Sequence, residues 1–280
     1  MIKNPVLLDR IITNALEEDL GPGDLTTDLI IGGDIVGKAV LETREDIVLA
    51  GLPVFMRVFS ILDPYISFET YYEDGDKVDA GEVICSINGA MASILKAERT
   101  ALNLIQRMSG IATLTSMYVS RAVSDKVKIL DTRKTVPGLR LLDKYAVPMG
   151  GGCNHRFGLF DGILIKDNHV AVAGSVKRAV EVARKNAPHG IKVEVEVEDL
   201  DGVKTAIEAG ADIILLDNMA PEPMKKAVDF VAGRALLEAS GGITLENIKE
   251  VAATGVDMIS IGALTHSVRA VDLSLEISKQ

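Results

Sequence analysis

From residue 127 to residue 262 the chain alternates short apolar runs with helical patterns, and this alternation restricts its architecture more than any other feature. The apolar runs are VKILD (127–131), GILIK (162–166), KVEVEVE (192–198), DIILLD (212–217), ALLEAS (235–240) and MISIG (258–262), each closing on a polar residue or a glycine. Helical periodicity fills the gaps near Leu139–Tyr145, Ser175–Asn186, Leu200–Glu208, Pro223–Val231 and Leu245–Ala253. Strands that repeatedly feed helices require a parallel sheet with right-handed crossovers. Six or seven units packed this closely fit a compact βα barrel better than an open sheet.

The first part of the chain reads differently. An amphipathic helix over Pro5–Asp19 ends at GPGDLTTD, where Gly21, Pro22 and Gly23 break it and Asp24 offers cap chemistry. Between Gly37 and Asn88, short apolar runs separated by acidic and glycine turns predict a small β-rich domain with one helix at Val54–Leu62. The piece DGDKVDAGEVICSINGAM is similar to the turn of a swivelling hairpin domain, but no lysine sits at the tip where a carried group would attach, so it reads as structural. One long helical pattern covers residues 93–124. Gly110 near its middle places the domain boundary, giving an N-terminal domain of residues 1–109 and a barrel of residues 110–280.

Composition removes several classes of function. A formal net charge of −10 argues against nucleic-acid and anionic-membrane partners, which need a broad cationic surface. The acidic N-terminus does not read as a secretory signal, and no apolar run is long enough to span a membrane. Two distant cysteines, Cys85 and Cys153, fit a reducing cytoplasm and a packing role.

Barrel active sites form at the C-terminal ends of the strands, so candidate residues can be collected there. The first run delivers Asp131, Thr132, Arg133 and Lys134. The second delivers Lys166, Asp167, Asn168 and His169, with Asn154, His155 and Arg156 just before it. Glu194, Glu196 and Glu198 share one face of the third run by alternation. The rest end in Asp217 and Asn218, in Ser240, Gly241 and Gly242, and in Gly262 and Ala263. Two glycine turns at consecutive strands, each followed by a helix, predict a phosphate site. Five inward cations, Arg133, Lys134, His155, Arg156 and Lys166, in an acidic protein require an anionic ligand, although each alone also fits a solvated side chain or a local ion pair.

Cys153, His155 and His169 match no common zinc spacing. Glu196 and Asp217 supply the hard oxygens that Mg2+ takes beside phosphates; the bland reading of the three glutamates is an edge strand with one charged face. Acyl-enzyme, P-loop and dinucleotide motifs are missing from the sequence. Lys166 also suits a Schiff base, because cationic neighbours depress an amine pKa. The three glycines at 150–152 read as making room for a loop to pass close to a ligand.

ERTALNLIQRMSGIAT (98–113), DTRKTVPGLR (131–140), KYAVPMGGGCNHRFGLFDGILIKDNH (144–169), VEVEVE (193–198), LLDN (215–218) and EASGGI (238–243) together resemble the quinolinate phosphoribosyltransferase family, in order and over nearly the whole chain. The resemblance implies an N-terminal α/β sandwich and a C-terminal seven-stranded α/β barrel. It implies joining of quinolinate to phosphoribosyl pyrophosphate with loss of pyrophosphate and CO2, giving nicotinate mononucleotide for NAD synthesis. It further implies a cytoplasmic homodimer or higher homo-oligomer with shared active sites. On matching positions, Thr132, Arg133, Lys134, His155, Arg156 and Lys166 line the substrate site, completed by Arg99 of the other subunit. Ser240, Gly241, Gly242 and Gly262 receive the 5′-phosphate, and Glu196 and Asp217 hold Mg2+ or ribose hydroxyls. Lys134, Lys166, Glu196 and Asp217 carry the catalytic roles. Pro148 departs from the basic residue expected there. The rival readings are a sister enzyme using nicotinate, a molybdenum-transport-associated relative, a Schiff-base aldolase, and an inactive barrel that binds an anion.

Overall fold

The computed structural model describes residues 4–31, 35–123 and 126–277. They form two compact units that are discontinuous in sequence. One comprises the residues up to Ser116, Thr135–Gly151 and those from Thr265 on; the other comprises Met117–Lys134 and Gly152–Leu264.

In the first unit, α1 (Pro5–Leu20) starts where the Asn4 side chain accepts the Leu7 N–H, and it buries Ile12 and Leu16. Asp24 caps the short α2 (Leu25–Ile30) by accepting from Thr27. The chain continues through β1 (Val36–Thr43), β2 (Ile47–Val48), α3 (Leu52–Leu62), β3 (Ser67–Thr70), β4 (Lys77–Val78) and β5 (Val83–Ala90). Helix α3 packs Phe55 on Phe59 at 5.0 Å between ring centroids, and Phe59 meets Phe68 of β3 edge-on at 5.9 Å. The EDGD turn serves this helix: both oxygens of Asp74 accept backbone N–H groups at its start, from Gly51 and Leu52. The hairpin segment is therefore structural, as expected.

Helix α4 (Met91–Ala122) then runs 32 residues without interruption. Residue 124, included in the expected helix, lies outside the described residues. Gly110 does not break this helix. A Cβ at Gly110 would lie 2.3 Å from the Arg269 carbonyl oxygen, so the glycine permits a close backbone approach within the unit.

The second unit carries β6 (Lys128–Leu130), after which the chain returns to the first unit for α5 (Arg140–Met149). It resumes with β7 (Ile163–Ile165), α6 (Asp167–Ala173), α7 (Val176–Asn186), β8 (Val193–Val197), α8 (Leu200–Ala209), β9 (Ile213–Asp217), α9 (Pro221–Val231), β10 (Leu236–Ser240), α10 (Ile248–Ala252), β11 (Met258–Ser260) and α11 (Ala263–His266). All six expected barrel strands are present, in one parallel sheet of order β6-β11-β10-β9-β8-β7. The seventh strand position, which the sequence pattern does not reveal, is reduced to a single parallel bridge between Leu130 and Cys153 on the free side of β6. From there Arg156 reaches the other edge, donating from its guanidinium to the Gly162 carbonyl just before β7 at 2.9 Å. Strand β8 lies between β7 and β9, which excludes the edge-strand reading of its glutamates.

The last strand, β12 (Leu273–Ile277), pairs antiparallel with β1, so the C-terminal residues join the sheet β12-β1-β5-β3 of the first unit, and each compact unit draws on more than one stretch of chain. The first glycine of the 150–152 run serves packing, not a ligand: a Cβ at Gly150 would stand 2.2 Å from the Ala112 carbonyl oxygen of α4.

Candidate active site

The C-terminal ends of the parallel strands surround a cavity of about 580 Å³. Thr132, Arg133 and Lys134 enter it from the turn after β6, which is pinned where the Lys134 N–H donates to Thr132 Oγ1. His155 and Arg156 enter from the segment bridged to β6, Lys166 from the end of β7, Glu196 from β8 and Asp217 from β9. Ser240, Gly241 and Gly242 complete the ring after β10. Two expected residues are not part of this lining. Arg99 is exposed on α4, and Gly262 follows β11 while Ser260, two residues earlier, lines the cavity in its place.

Each strand supplies side chains at more than one depth. Glu194 and Glu196 share a face of β8, as alternation requires, but Glu194 is only 5% exposed and lies deeper, while Glu196 reaches the cavity. Glu198 lies past the strand end and is exposed. Lys166 Nζ donates to Glu196 Oε2 at 2.5 Å, so the two opposite charges sit side by side on the wall. Arg156 and Arg133 are close enough for their charges to oppose each other. The Arg156 guanidinium is held below its usual range by burial first and by Arg133 second, against the pull of Glu194 and Asp161. An anion between two such groups would offset their mutual repulsion.

The glycine turn after β10 is shaped for close approach. Gly241 and Gly242 have φ of +89° and +62°, and a Cβ at Gly241 would stand 2.2 Å from Asn218 Oδ1. Asn218 itself takes φ +53° and donates its N–H to the Ser240 carbonyl. The helix expected directly behind this turn starts only at Ile248 and has five residues. The anion-binding capacity of the turn therefore resides in its own N–H groups more than in a helix dipole. Ser260 Oγ donates to Ser240 Oγ at 3.0 Å and fixes its orientation.

His155 faces inward and down. Its backbone N–H donates to Oδ1 of the buried Asp131 at 2.8 Å, its ring Nδ1 accepts the backbone N–H of Arg156, and its Nε2 lies 3.3 Å from Glu194 Oε2 and 3.6 Å from Glu238 Oε1. Among the described residues the side chains grouped closely enough around His155 to hold a metal are Glu194 and Glu238, and neither Cys153 nor His169 belongs to that group. Glu238 was missed by the sequence reading, as were Leu164, Leu215 and Ser260. The signal for Glu238 was an acid inside an apolar strand, two positions before the selected Ser240 and hence on the same inward face.

Family models described as quinolinate phosphoribosyl transferase match the chain twice, the N-terminal domain over residues 24–109 and the C-terminal domain over residues 111–276. The probable nicotinate-nucleotide pyrophosphorylase (carboxylating) of Bacillus subtilis is 44% identical over 275 residues, spanning 98% of this chain and 95% of that protein. The crystal structure of NadC from Streptococcus pyogenes is similar with a TM-score of 0.94 at 43% identity, over 99% of each chain. The nicotinate-nucleotide pyrophosphorylase of Francisella tularensis gives 0.93 at 45% identity, over 97% of this chain and 96% of that one.

Proposed function

Because the chain belongs to the quinolinate phosphoribosyltransferase family, we propose that the cavity at the strand ends is where its two anionic substrates meet. The protein is a pentosyltransferase: it transfers the phosphoribosyl group of 5-phosphoribosyl 1-pyrophosphate to quinolinate, releasing pyrophosphate and CO2 and forming nicotinate mononucleotide in NAD biosynthesis. The observation that carries the site assignment is the convergence of Arg133, Lys134, His155, Arg156 and Lys166 in one cavity of an otherwise acidic chain.

Quinolinate carries two adjacent carboxylates, and the guanidiniums of Arg133 and Arg156 take them, with His155 on the cavity wall beside Arg156. Lys134 and Lys166 border the space left for the pyrophosphate and ribose. Their ammonium groups stabilise charge that develops as pyrophosphate departs, the largest expected contribution to such a transfer. The ring nitrogen then attacks C1 of an oxocarbenium-like ribose. The 5′-phosphate goes to the N–H groups of Ser240, Gly241 and Gly242, with the turn at Gly262, after β11, as a further phosphate contact.

Glu196 and Asp217 offer hard carboxylate oxygens at neighbouring strand ends, a donor set that fits Mg2+. They would hold the ion or the ribose hydroxyls, with Lys166 keeping Glu196 in place. When bound, Mg2+ neutralises charge on the leaving pyrophosphate. We further read the protein as a cytoplasmic homodimer or higher homo-oligomer whose sites take Arg99 from the neighbouring subunit. Arg99 is exposed on α4, which is compatible with a role in a neighbouring subunit.

Incubation with phosphoribosyl pyrophosphate, Mg2+ and either quinolinate or nicotinate tests the reading. Quinolinate should give pyrophosphate, CO2 and nicotinate mononucleotide; nucleotide from nicotinate with none from quinolinate would overturn it. Mixing inactive Arg99→Ala and Lys166→Ala proteins should restore activity if sites are shared between subunits, and no recovery would refute the shared site.

A further inference from the structure

Beneath the cavity's cationic rim lies a second tier of ionisable groups that substrate binding does not need. Glu194 and Glu238 come from β8 and β10 and are 5% and 1% exposed. Both converge on His155 Nε2, at 3.3 and 3.6 Å. Because Nδ1 already accepts the Arg156 N–H, Nε2 carries the single proton of a neutral ring, and one proton cannot satisfy two carboxylates. Glu194 Oε1 and Glu238 Oε1 are buried without a hydrogen-bond partner. Two adjacent carboxylates in this setting do not both ionise readily. Burial first, and Glu194 second, push the Glu238 carboxyl up to about 7, against the opposite pull of His155, Ser260 and Lys166.

The tier has cavities on both sides. Glu238 and His155 line the substrate cavity, and both also line a second cavity of about 480 Å³. That second cavity is built from Lys128, Ile163, Ile213 and Met258, the first residues of four strands, and so occupies the opposite end of the barrel. Exposed Lys128, Gly190 and Lys192 border it, so water reaches this side while substrates fill the other.

We propose that Glu238 is the acid that protonates the pyridine ring carbon from which CO2 departs, with Glu194 and His155 as the positioning residues that keep its proton in place. The inference rests on the reaction assigned above. After the ring nitrogen is ribosylated, the bond from C2 to its carboxylate breaks and CO2 leaves. As that bond breaks, its electron pair, stabilised by the cationic nitrogen, is taken up at C2 in a new C–H bond with the proton of Glu238, so CO2 departs only as the proton is delivered. The resulting carboxylate is beside Glu194, so it takes a proton back from water in the second cavity, and the cycle closes with one proton consumed per CO2 released.

The test separates the two chemical steps in Glu238→Gln, which keeps the side-chain shape and removes the acid. In single turnovers with quinolinate and phosphoribosyl pyrophosphate, pyrophosphate release should stay within a few-fold of wild type while CO2 release falls by about 10², the usual size of a general-acid contribution. The dicarboxylated nucleotide should accumulate, and Glu238→Asp should recover part of the CO2 step. Pyrophosphate and CO2 falling by one common factor, or both staying at wild-type rates, overturns the proposal. Should Glu238→Gln not fold, the wild-type protein serves: CO2 release should slow in D2O relative to pyrophosphate release, and equal responses overturn it. If wild-type protein released no pyrophosphate from these substrates, the assigned reaction itself would be the casualty.

Discussion

Replacing Lys166 by alanine separates what the cavity does from what holds the barrel together. In the structure Lys166 Nζ is 2.5 Å from Glu196 Oε2, yet the Lys166 side chain is 45% exposed, and that of Glu196 12%. A pair that open to water contributes at most about 1 kcal/mol to stability, and water in the emptied corner can solvate Glu196 after truncation. For a chain of this size that corresponds to a fall in Tm of no more than about 4 °C. The effect on catalysis is of another order. An ammonium beside the departing pyrophosphate acts only as charge develops, and loss of one such preorganised group typically costs about 2.7–4 kcal/mol, or a 10²–10³ drop in rate. Steady-state pyrophosphate release with quinolinate, beside a circular-dichroism melt of the same preparation, reads both quantities. A variant with near wild-type kcat/KM would remove Lys166 from the site. A Tm loss large enough to account for the missing activity would recast it as a structural prop. Lys166→Arg should not restore full rate, since a planar guanidinium cannot reproduce a compact ammonium at that distance from Glu196.

Asp143 is fully buried in the first unit, bonds both Nε and an Nη of Arg107 at 2.8 Å and accepts the Val136 N–H; Asp143→Ala strands these donors and should cost about 3 kcal/mol in urea unfolding, with a loss under about 1 kcal/mol contradicting the pairing. Gly241→Ala forces a Cβ onto Asn218 Oδ1 at a backbone φ of +89°, so the Michaelis constant for phosphoribosyl pyrophosphate should rise more than that for quinolinate, and equal changes would argue against a phosphate turn there. For Glu238 the folded-state carboxyl is raised from 4.5 to about 7, so the folded protein binds the extra proton; the stability this provides is complete below about pH 4.5 and is lost as pH rises through 7. Glu238→Gln should therefore gain in Tm relative to wild type between pH 5 and pH 8, and a difference independent of pH would refute the shift.

Much of the barrel was legible because each strand is a short apolar run ended by a polar residue, a local pattern that single-chain reading detects. The parts that escaped are those with no local period. β12 is an ordinary alternating pentapeptide whose partner, β1, lies more than 200 residues away in the chain. The seventh barrel position is one residue, Cys153, and one residue has no pattern. Gly110 looked like a helix breaker because glycine is unfavourable inside helices, whereas here a backbone approach from Arg269 requires it. At the site, alternation places Glu194 and Glu196 on the same inward face but carries no information about depth, and depth decides which of them meets a ligand. Glu238 escaped for the same reason, since its neighbours Leu237 and Ala239 made the strand read as core.

Depth also explains how an acidic chain binds two polyanions. Residues two apart on a strand fall in successive layers of a barrel interior, and each layer is filled from alternate strands. Glu194 and Glu238, from β8 and β10 with β9 between them, occupy one layer, and Glu196 and Ser240 on the same strands occupy the next toward the substrates. Had both deeper glutamates been ionised, they would oppose any anion bound in the cavity that Glu238 helps to line. Holding Glu238 neutral removes one of the two opposing charges and leaves Glu194 turned toward His155 Nε2, while Lys166 offsets Glu196 in the upper layer. The guanidiniums of Arg133 and Arg156 then remain as the dominant field at the rim. On this account the buried proton has two roles: it lets the anionic substrate settle, and it is the proton the ring takes up as CO2 leaves.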